Sequence, residues 1–346
     1  MYQKSIIRQL KVIQIISETK DAKTFVLEPL DAWKPVYEAG QFLTLVFDTE
    51  HGEKRRSYSI SSSPATDVHL AITVKQIENG EFSRFLIQQT AVGDVLSSSG
   101  IAGQFVLPAE LTTIRQFFFI AAGSGITPCF SLIKTLLETT TDKVTLIYSN
   151  KSPEDTIFYQ ALGQLQLVHT GRLSVKFLFS NGGSIYDRRL SSWLLDQLVD
   201  QYLAVKPHEA MFYVCGPFDY MLTVKITLQS RFPADHIKRE DYNSLPRLKK
   251  IQPSDTDSHQ ILITINGQAF SFSAQYPDTI LDAAIKQGLQ LPYSCKAGRC
   301  ASCIATCRSG KVWMAYNEVL TDREVEQGRI LVCQSYAVGG DVEIGY

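Results

Sequence analysis

Three domains of unlike architecture are predicted in this 346-residue chain: an antiparallel β-barrel, a doubly wound α/β domain with a parallel sheet, and a small C-terminal α+β domain. Three observations predict them. The first hundred or so residues break into short β-rich runs punctuated by Gly, Pro, Asp and Ser. From about Arg115 the rhythm changes to strand then helix, repeated. After a stretch without periodicity, five of the seven cysteines crowd into 39 residues near the C-terminus.

The barrel, residues 1–112, is expected from the runs Leu10–Ile16, Thr24–Leu27, Gln41–Phe47, His69–Val74 and Asp94–Ser98, many short strands that close on themselves. One helical stretch, Glu81–Gln89, interrupts them after Gly80. In the second domain, residues 113–241, Gln116–Ala122 is continuously apolar, as a strand buried on both faces must be. Helix signals follow, with Thr127 as N-cap and Pro128 at the first helical position. Next come the strand Val144–Tyr148 and Ser152-Pro-Glu-Asp155, which reads as a helix start in capping-box style with Asp at the third position. Ser174–Phe179, a helix near Leu190–Val199, Met211–Val214 and a helix beyond Pro217 complete the alternation. Residues 242–260 read as a linker. In the last domain, residues 261–346, Ile261–Ile265 and Ala269–Ser273 pair as a hairpin across Asn266-Gly267, and a helix capped by Thr279 leads to the cysteines.

Composition narrows the class. Apolar residues make up 45% and charged residues 20%, so the chain can bury a core and is neither disordered nor fibrous. Lys and Arg number 34 against 35 for Asp and Glu, which gives no whole-chain attraction for nucleic acid or anionic lipid. The longest apolar run, Phe117–Ala122, falls far short of the roughly 18 residues of a membrane span. The N-terminus has no signal-peptide core, so a cytoplasmic location is expected.

An odd cysteine count without a secretion signal argues against disulfides and for metal. Cys295, Cys300 and Cys303 read C-x4-C-x2-C, and Cys333 follows after 29 residues, the plant-type [2Fe–2S] spacing. Ala297, Gly298, Ala301 and Ser302 are small enough for backbone N–H groups to approach the sulfurs. A four-cysteine zinc site is the alternative, but it usually shows two C-x2-C knuckles and here there is one. Cys307 fits no ligand position and reads, like Cys129, as a buried packing thiol.

Further motifs precede the cysteines. In Arg56-Ser57-Tyr58-Ser59, strand alternation puts Arg56 and Tyr58 on one face, suited to a phosphate and an aromatic ring; alone it also fits a generic strand. Gly80-Glu-Phe82-Ser83 turns into a helix whose free N–H groups suit a pyrophosphate. Gly123-Ser124-Gly125-Ile-Thr127-Pro128 lies on a strand-to-helix turn, where glycines let the backbone approach a dinucleotide; it departs from G-x-G-x-x-G, and a tight turn without ligand is the alternative. Cys215-Gly216-Pro217 ends a later strand, where open α/β sheets bind ligands.

In this order, over essentially the whole chain, these motifs resemble the ferredoxin–NADP reductase superfamily with a C-terminal plant-type ferredoxin domain. More narrowly, it resembles the reductase component of phenylacetyl-CoA epoxidase and related oxygenase reductases. The resemblance implies a β-grasp fold for the last domain and three cofactors: FAD, NAD(P)H and a [2Fe–2S] cluster. It implies that Arg56 binds the FAD pyrophosphate, Tyr58 stacks on the isoalloxazine with Ser57 beside it, and Ser59 sits near flavin N5. Val74 and Lys75 contact the ribityl region, and Gly80, Phe82 and Ser83 the pyrophosphate. Gly123, Ser124, Gly125, Thr127 and Pro128 line the nucleotide site, and Cys215, Gly216 and Pro217 approach the nicotinamide. Glu240 matches an acidic residue near the flavin, which makes Ser59, Cys215 and Glu240 the candidate catalytic set. Cys295, Cys300, Cys303 and Cys333 are the cluster ligands. The implied activity is hydride transfer from NAD(P)H to FAD, then single electrons through the cluster to an oxygenase or hydroxylase partner. The rivals are a general ferredoxin- or flavodoxin-type diaphorase and a non-enzymatic iron–sulfur redox sensor. The strand end at Asn150 and Lys151 offers a cation and no acidic residue for the ribose, which favours NADPH.

Overall fold

The computed structural model describes residues 7–50, 52–108, 113–182, 188–242, 252–265 and 267–346. Residues 243–251 of the proposed linker and Asn266 of the hairpin turn lie outside the described residues.

The first domain holds β1 (Arg8–Thr19), β2 (Ala22–Pro29), β3 (Phe42–Thr49), β4 (Gly52–Ser59), β5 (Leu70–Lys75), α1 (Glu81–Gln89) and β6 (Val95–Ala102). Its six strands run antiparallel in the order β4-β3-β6-β1-β2-β5. The two edges meet: Ile60 bridges Ile72, and the Ser61 N–H donates to the Ala71 carbonyl at 2.8 Å. That contact brings the end of β4 beside β5, closing the barrel over a core of Leu10, Val12, Phe25, Leu27, Leu43, Leu45 and Ile72.

The second domain comprises β7 (Gln116–Ala122), α2 (Ile126–Thr139), β8 (Lys143–Asn150), α3 (Tyr159–Val168), β9 (Leu173–Phe179), α4 (Ser192–Tyr202), β10 (Ala210–Cys215), α5 (Phe218–Gln229) and β11 (Ile237–Glu240). Its sheet is parallel, in the order β11-β10-β7-β8-β9. Strand order reverses between β7 and β10, and open α/β sheets take their ligands at the carboxyl ends of such strands. Two helix starts differ from expectation. Helix α2 begins at Ile126 behind a 3-10 turn of Gly123–Gly125, so Thr127 and Pro128 lie inside its first turn and Gly125 is the N-cap. Pro128 is tolerated there because first-turn N–H groups have no intrahelical acceptor. After Ser152, Pro153–Asp155 form only a 3-10 turn, and the helix proper waits until Tyr159. The Ser152 hydroxyl donates to the Asp155 carboxylate at 3.1 Å instead of capping a backbone N–H.

The third domain contains β12 (His259–Ile265), β13 (Gln268–Ala274), α6 (Ile280–Lys286), β14 (Ile304–Ser309), β15 (Val312–Met314), α7 (Asp322–Glu326), β16 (Arg329–Leu331), β17 (Ser335–Ala337) and β18 (Val342–Gly345). Its sheet, β13-β12-β18-β14-β16, is mixed, with β12 and β18 parallel. Thr279 caps α6 by accepting from the Asp282 N–H at 3.1 Å. Buried Ile280, Leu281 and Ala284 of α6 pack into the domain's core, the β-grasp arrangement. Cys129 is buried as expected, whereas Cys307 on β14 is only partly buried, because the strand leaves its thiol beside the Ser309 carbonyl. Among the described residues no helix is long and apolar enough to cross a membrane.

Candidate functional site at the three-domain junction

The Gly123–Pro128 turn and Cys215-Gly216-Pro217 follow β7 and β10, the two strands at the reversal point. Cys215 pairs in register with Ala121 on one side and Glu240 on the other. The turn packs tightly here: a Cβ on Gly125 would lie 2.1 Å from the Cys215 carbonyl oxygen, so only glycine lets helix α2 start this close to β10.

The barrel brings its own residues to the same place. The Ser59 hydroxyl donates to Glu240 Oε2 at 3.1 Å and lies 2.9 Å from the Tyr242 hydroxyl, which is 3.1 Å from Thr127 Oγ1. Cys215, fully buried, adjoins the same tyrosine hydroxyl. Burial pushes the Cys215 thiol well up, helped by the nearby Glu240, so it stays protonated. Burial likewise raises Glu240 to about 8, against the partial relief of hydrogen bonds with Ser59 and Tyr242. Tyr242, counted with the linker on sequence grounds, is the participant that sequence reasoning missed. Its hydroxyl sits in this cluster, while the residue, 45% exposed overall, also lines the adjoining cavity.

That cavity has a volume of about 410 Å³ and lies between all three domains. Arg56, Ser57, Ser59, Glu240, Tyr242, Cys295 and Cys300 line it. The size and the mixture of aromatic, charged and hydroxyl groups suit a planar, partly polar ligand. Arg56 lies over the Phe82 ring at 4.8 Å, which joins the Arg56–Ser59 segment to the start of α1. There Gly80 is the N-cap, and the Ser83 hydroxyl donates to the Gly80 carbonyl at 3.2 Å and accepts from the Ile77 N–H. Tyr58 packs against the barrel core, and burial raises its phenol. Val74 and Lys75 end β5 across the closure, Lys75 paired with Asp21 at 3.6 Å. Ser57 bonds to Thr44 at 3.0 Å and to Ser294 of the third domain at 2.6 Å. Asn150 and Lys151 stand at the end of β8, where their carbonyls accept from Ser180 and Asn181 at 3.0 Å.

The four cysteines fall into two pairs. The Cys295 N–H donates to Cys300 Sγ at 3.4 Å, with the two thiols hydrogen-bonded, and Cys303 Sγ lies 3.1 Å from Cys333 Sγ. The Ala297 N–H donates to Cys295 Sγ at 3.3 Å; the hydrogen bond shared by the two thiols holds Cys295 down and pushes Cys300 up, so the pair shares one proton unequally. Gly298, at φ +74°, takes a left-handed turn where a Cβ would meet the Tyr316 carbonyl at 2.9 Å. Two thiol pairs are the donor set of a two-iron cluster, one pair to each iron.

Fold and site together define an NAD(P)H-dependent oxidoreductase built on flavin and an iron–sulfur cluster. Family models agree: an oxidoreductase FAD-binding domain matches residues 9–107, an oxidoreductase NAD-binding domain residues 119–225, and a 2Fe-2S iron-sulfur cluster binding domain residues 263–338. The ferredoxin reductase component of 3-ketosteroid-9-alpha-monooxygenase from Mycobacterium tuberculosis is 31% identical, over 98% of this chain and 95% of that protein. A component of the 1,2-phenylacetyl-CoA epoxidase from Escherichia coli is 32% identical over 97% of each chain. Among solved structures, phthalate dioxygenase reductase superposes with a TM-score of 0.61 at 24% identity, covering 99% of this chain and 98% of that one. The chain belongs to the family of ferredoxin-reductase components that carry FAD, NAD(P)H and [2Fe–2S] domains in this order. It carries electrons from NAD(P)H through FAD to the cluster.

Proposed function

We propose that this chain is the reductase component of an oxygenase system, delivering electrons one at a time to a separate oxygenase or hydroxylase protein. The observation behind the reading is that Ser59, Glu240 and the Cys295–Cys300 pair, from three domains, line one cavity. Bound flavin takes electrons as a hydride pair and releases them singly, as a one-electron cluster requires. In this reading Arg56, Gly80, Phe82 and Ser83 hold the FAD pyrophosphate; Ser57, Tyr58, Val74 and Lys75 flank the rest of the cofactor. Gly123, Ser124, Gly125, Thr127, Pro128, Gly216 and Pro217 hold the dinucleotide. Ser59, Cys215 and Glu240 fix the place where the hydride passes, and Glu240 keeps its proton at neutral pH beside Ser59 Oγ. Cys295, Cys300, Cys303 and Cys333 hold the cluster. The units are residues 1–112, 113–241 and 261–346, with 242–260 as linker, and the protein works in the cytoplasm.

Anaerobic titration followed by visible absorption tests the reading. NADPH should bleach the flavin band and then the cluster band, and an oxygenase component should reoxidise the protein faster than a free ferredoxin or flavodoxin does. Equal reoxidation by all three would replace the dedicated reductase with a general diaphorase. Lys151 meets the 2′-phosphate of NADPH as a point charge. Lys151→Glu should therefore raise the KM for NADPH far more than that for NADH, and equal changes would remove the preference.

A further inference from the structure

Arg55 is a buried charge on the outside of a barrel. Its neighbours on β4, Lys54 and Arg56, are exposed, and arginine ordinarily keeps its guanidinium in water. Yet Arg55 is only 8% exposed. Its Nε donates to the Glu53 carboxylate at 2.7 Å, and its Nη1 to the Tyr293 carbonyl at 3.4 Å. The guanidinium carbon lies 4.1 Å from the centre of the Tyr293 ring. Strand alternation puts Arg55, Ser57 and Ser59 on one face. Along that face Arg55 meets Tyr293, Ser57 meets Ser294, and Ser59 meets Glu240. Tyr293 and Ser294 immediately precede Cys295. From within the cysteine loop, Arg299 pairs with Glu318 at 3.0 Å and reaches Asp241, next to Glu240, at 3.9 Å.

We propose that Arg55 and Tyr293 form a docking clamp, with Arg55 as the positioning residue that seats the ferredoxin domain so that its Cys295–Cys300 pair faces the flavin cavity. A planar guanidinium can stack on the ring and donate to its carbonyl at once, which an ammonium does less well. The proposal rests on the reading that flavin occupies the cavity beside Ser59. Tyr293 packs at the margin of the ferredoxin core, packing that Tyr293→Phe keeps, and Glu53 is open to water, so removing either partner leaves no buried charge unpaired.

The test uses the full-length holoprotein and the variants Arg55→Met, Tyr293→Ala, their double mutant, and Tyr293→Phe, which keeps the ring. Small-angle X-ray scattering reads the docking, and anaerobic stopped-flow absorption reads cluster reduction after flavin reduction. Each disruptive single variant should enlarge the radius of gyration and slow cluster reduction by about tenfold, and Tyr293→Ala, away from the cavity lining, should leave flavin reduction by NAD(P)H unchanged. Tyr293→Phe should behave as the parent, and the double mutant should be no worse than either single, as for two members of one contact. An unchanged scattering curve, or additive losses in the double mutant, overturns the clamp. An opened curve with cluster reduction at the parent rate also overturns the proposal, and places the fault in the position of the flavin.

Discussion

The barrel meets its two neighbours in different ways. Toward the nucleotide domain the junction is fused: one apolar core takes Ala22, Ala39 and Phe105 from the barrel side together with Phe119, Cys129, Leu132 and Tyr213. Polar contacts stitch its rim, with Ser131 donating to the Ser62 carbonyl at 2.6 Å, Ser63 and Thr135 hydroxyls 2.7 Å apart, and Lys20 paired with Asp155 at 3.1 Å. Toward the ferredoxin domain no core is shared among the described residues; that domain's buried cluster there is built from its own residues, Ile261 onward. Contacts there include the Arg55–Tyr293 stack with its hydrogen bond to the Tyr293 carbonyl and the Ser57–Ser294 hydroxyl pair, while Arg299 reaches Asp241 of the nucleotide domain in a long ion pair. The difference suits the chemistry. A hydride moves between atoms that must be held about 3–3.5 Å apart, which demands a rigid junction. In the proposed reading, a domain that takes electrons from the flavin of its own chain and gives them to a separate protein gains from a junction that can open.

The largest effects should separate the two junctions. Cys333→Ser removes one thiol from the Cys303 pair at a site only 4% exposed. Cluster absorption should disappear and electron delivery with it, while the unfolding transition of the barrel and nucleotide domains stays where it is in the parent. A shift of that transition by calorimetry would mean that the ferredoxin domain is more deeply joined than the contacts indicate. Phe105→Ala attacks the fused side. The ring packs edge-on against Tyr213 with centroids 5.1 Å apart and is 4% exposed, so its truncation should cost about 3–5 kcal/mol. Barrel and nucleotide domain should lose stability together; independent transitions would show that the shared core is not a cooperative unit.

What the sequence made legible was local chemistry. The C-x4-C-x2-C spacing, the glycines of Gly123–Gly125 and the strand-end Cys215 each carry their reason within a few residues. The rest depends on approach in space. Nothing in the spacing tells Cys303 to pair with Cys333 across the domain. Arg55 reads as one of two adjacent arginines, and only the alternation of β4, together with a partner 238 residues away, gives it a different environment from Arg56. Tyr242 sits at the edge of an aperiodic stretch; an aromatic two residues past the acid that ends β11 was the available signal. The start of α2 differs from expectation because Gly123–Gly125 carry the chain into the helix through a 3-10 turn, which needs no side-chain cap.

A smaller effect should come from proton linkage at the fused junction. Glu240 is raised from 4.5 to about 8 in the folded protein, so between these values the native state holds a proton that the unfolded chain has released. Stability from this group is therefore full below about pH 4.5 and is lost as pH rises through about 8. Glu240→Gln keeps an acceptor for Ser59 and removes the titration. The parent's unfolding temperature should fall relative to that of the variant between pH 5 and pH 9 (about the span of the shift), and parallel curves would place the carboxyl in water.

The smallest effect we expect is at Ser131, whose hydroxyl is fully buried between α2 and the barrel and bonds across the junction to the Ser62 carbonyl. Ser131→Ala removes the donor without altering packing volume much, leaving a buried carbonyl short of a partner, so the cost should be about 1–2 kcal/mol. Because the shared core remains, the two domains should still unfold as one, at a lower temperature. The informative measurement is a comparison with Tyr293→Ala in the same calorimetric scan. Ser131→Ala should move the main transition and leave cluster reduction alone, whereas Tyr293→Ala should do the reverse. If both variants move the same transition, the two junctions are one cooperative interface, and the contrast between a fused hydride side and an opening electron side does not hold.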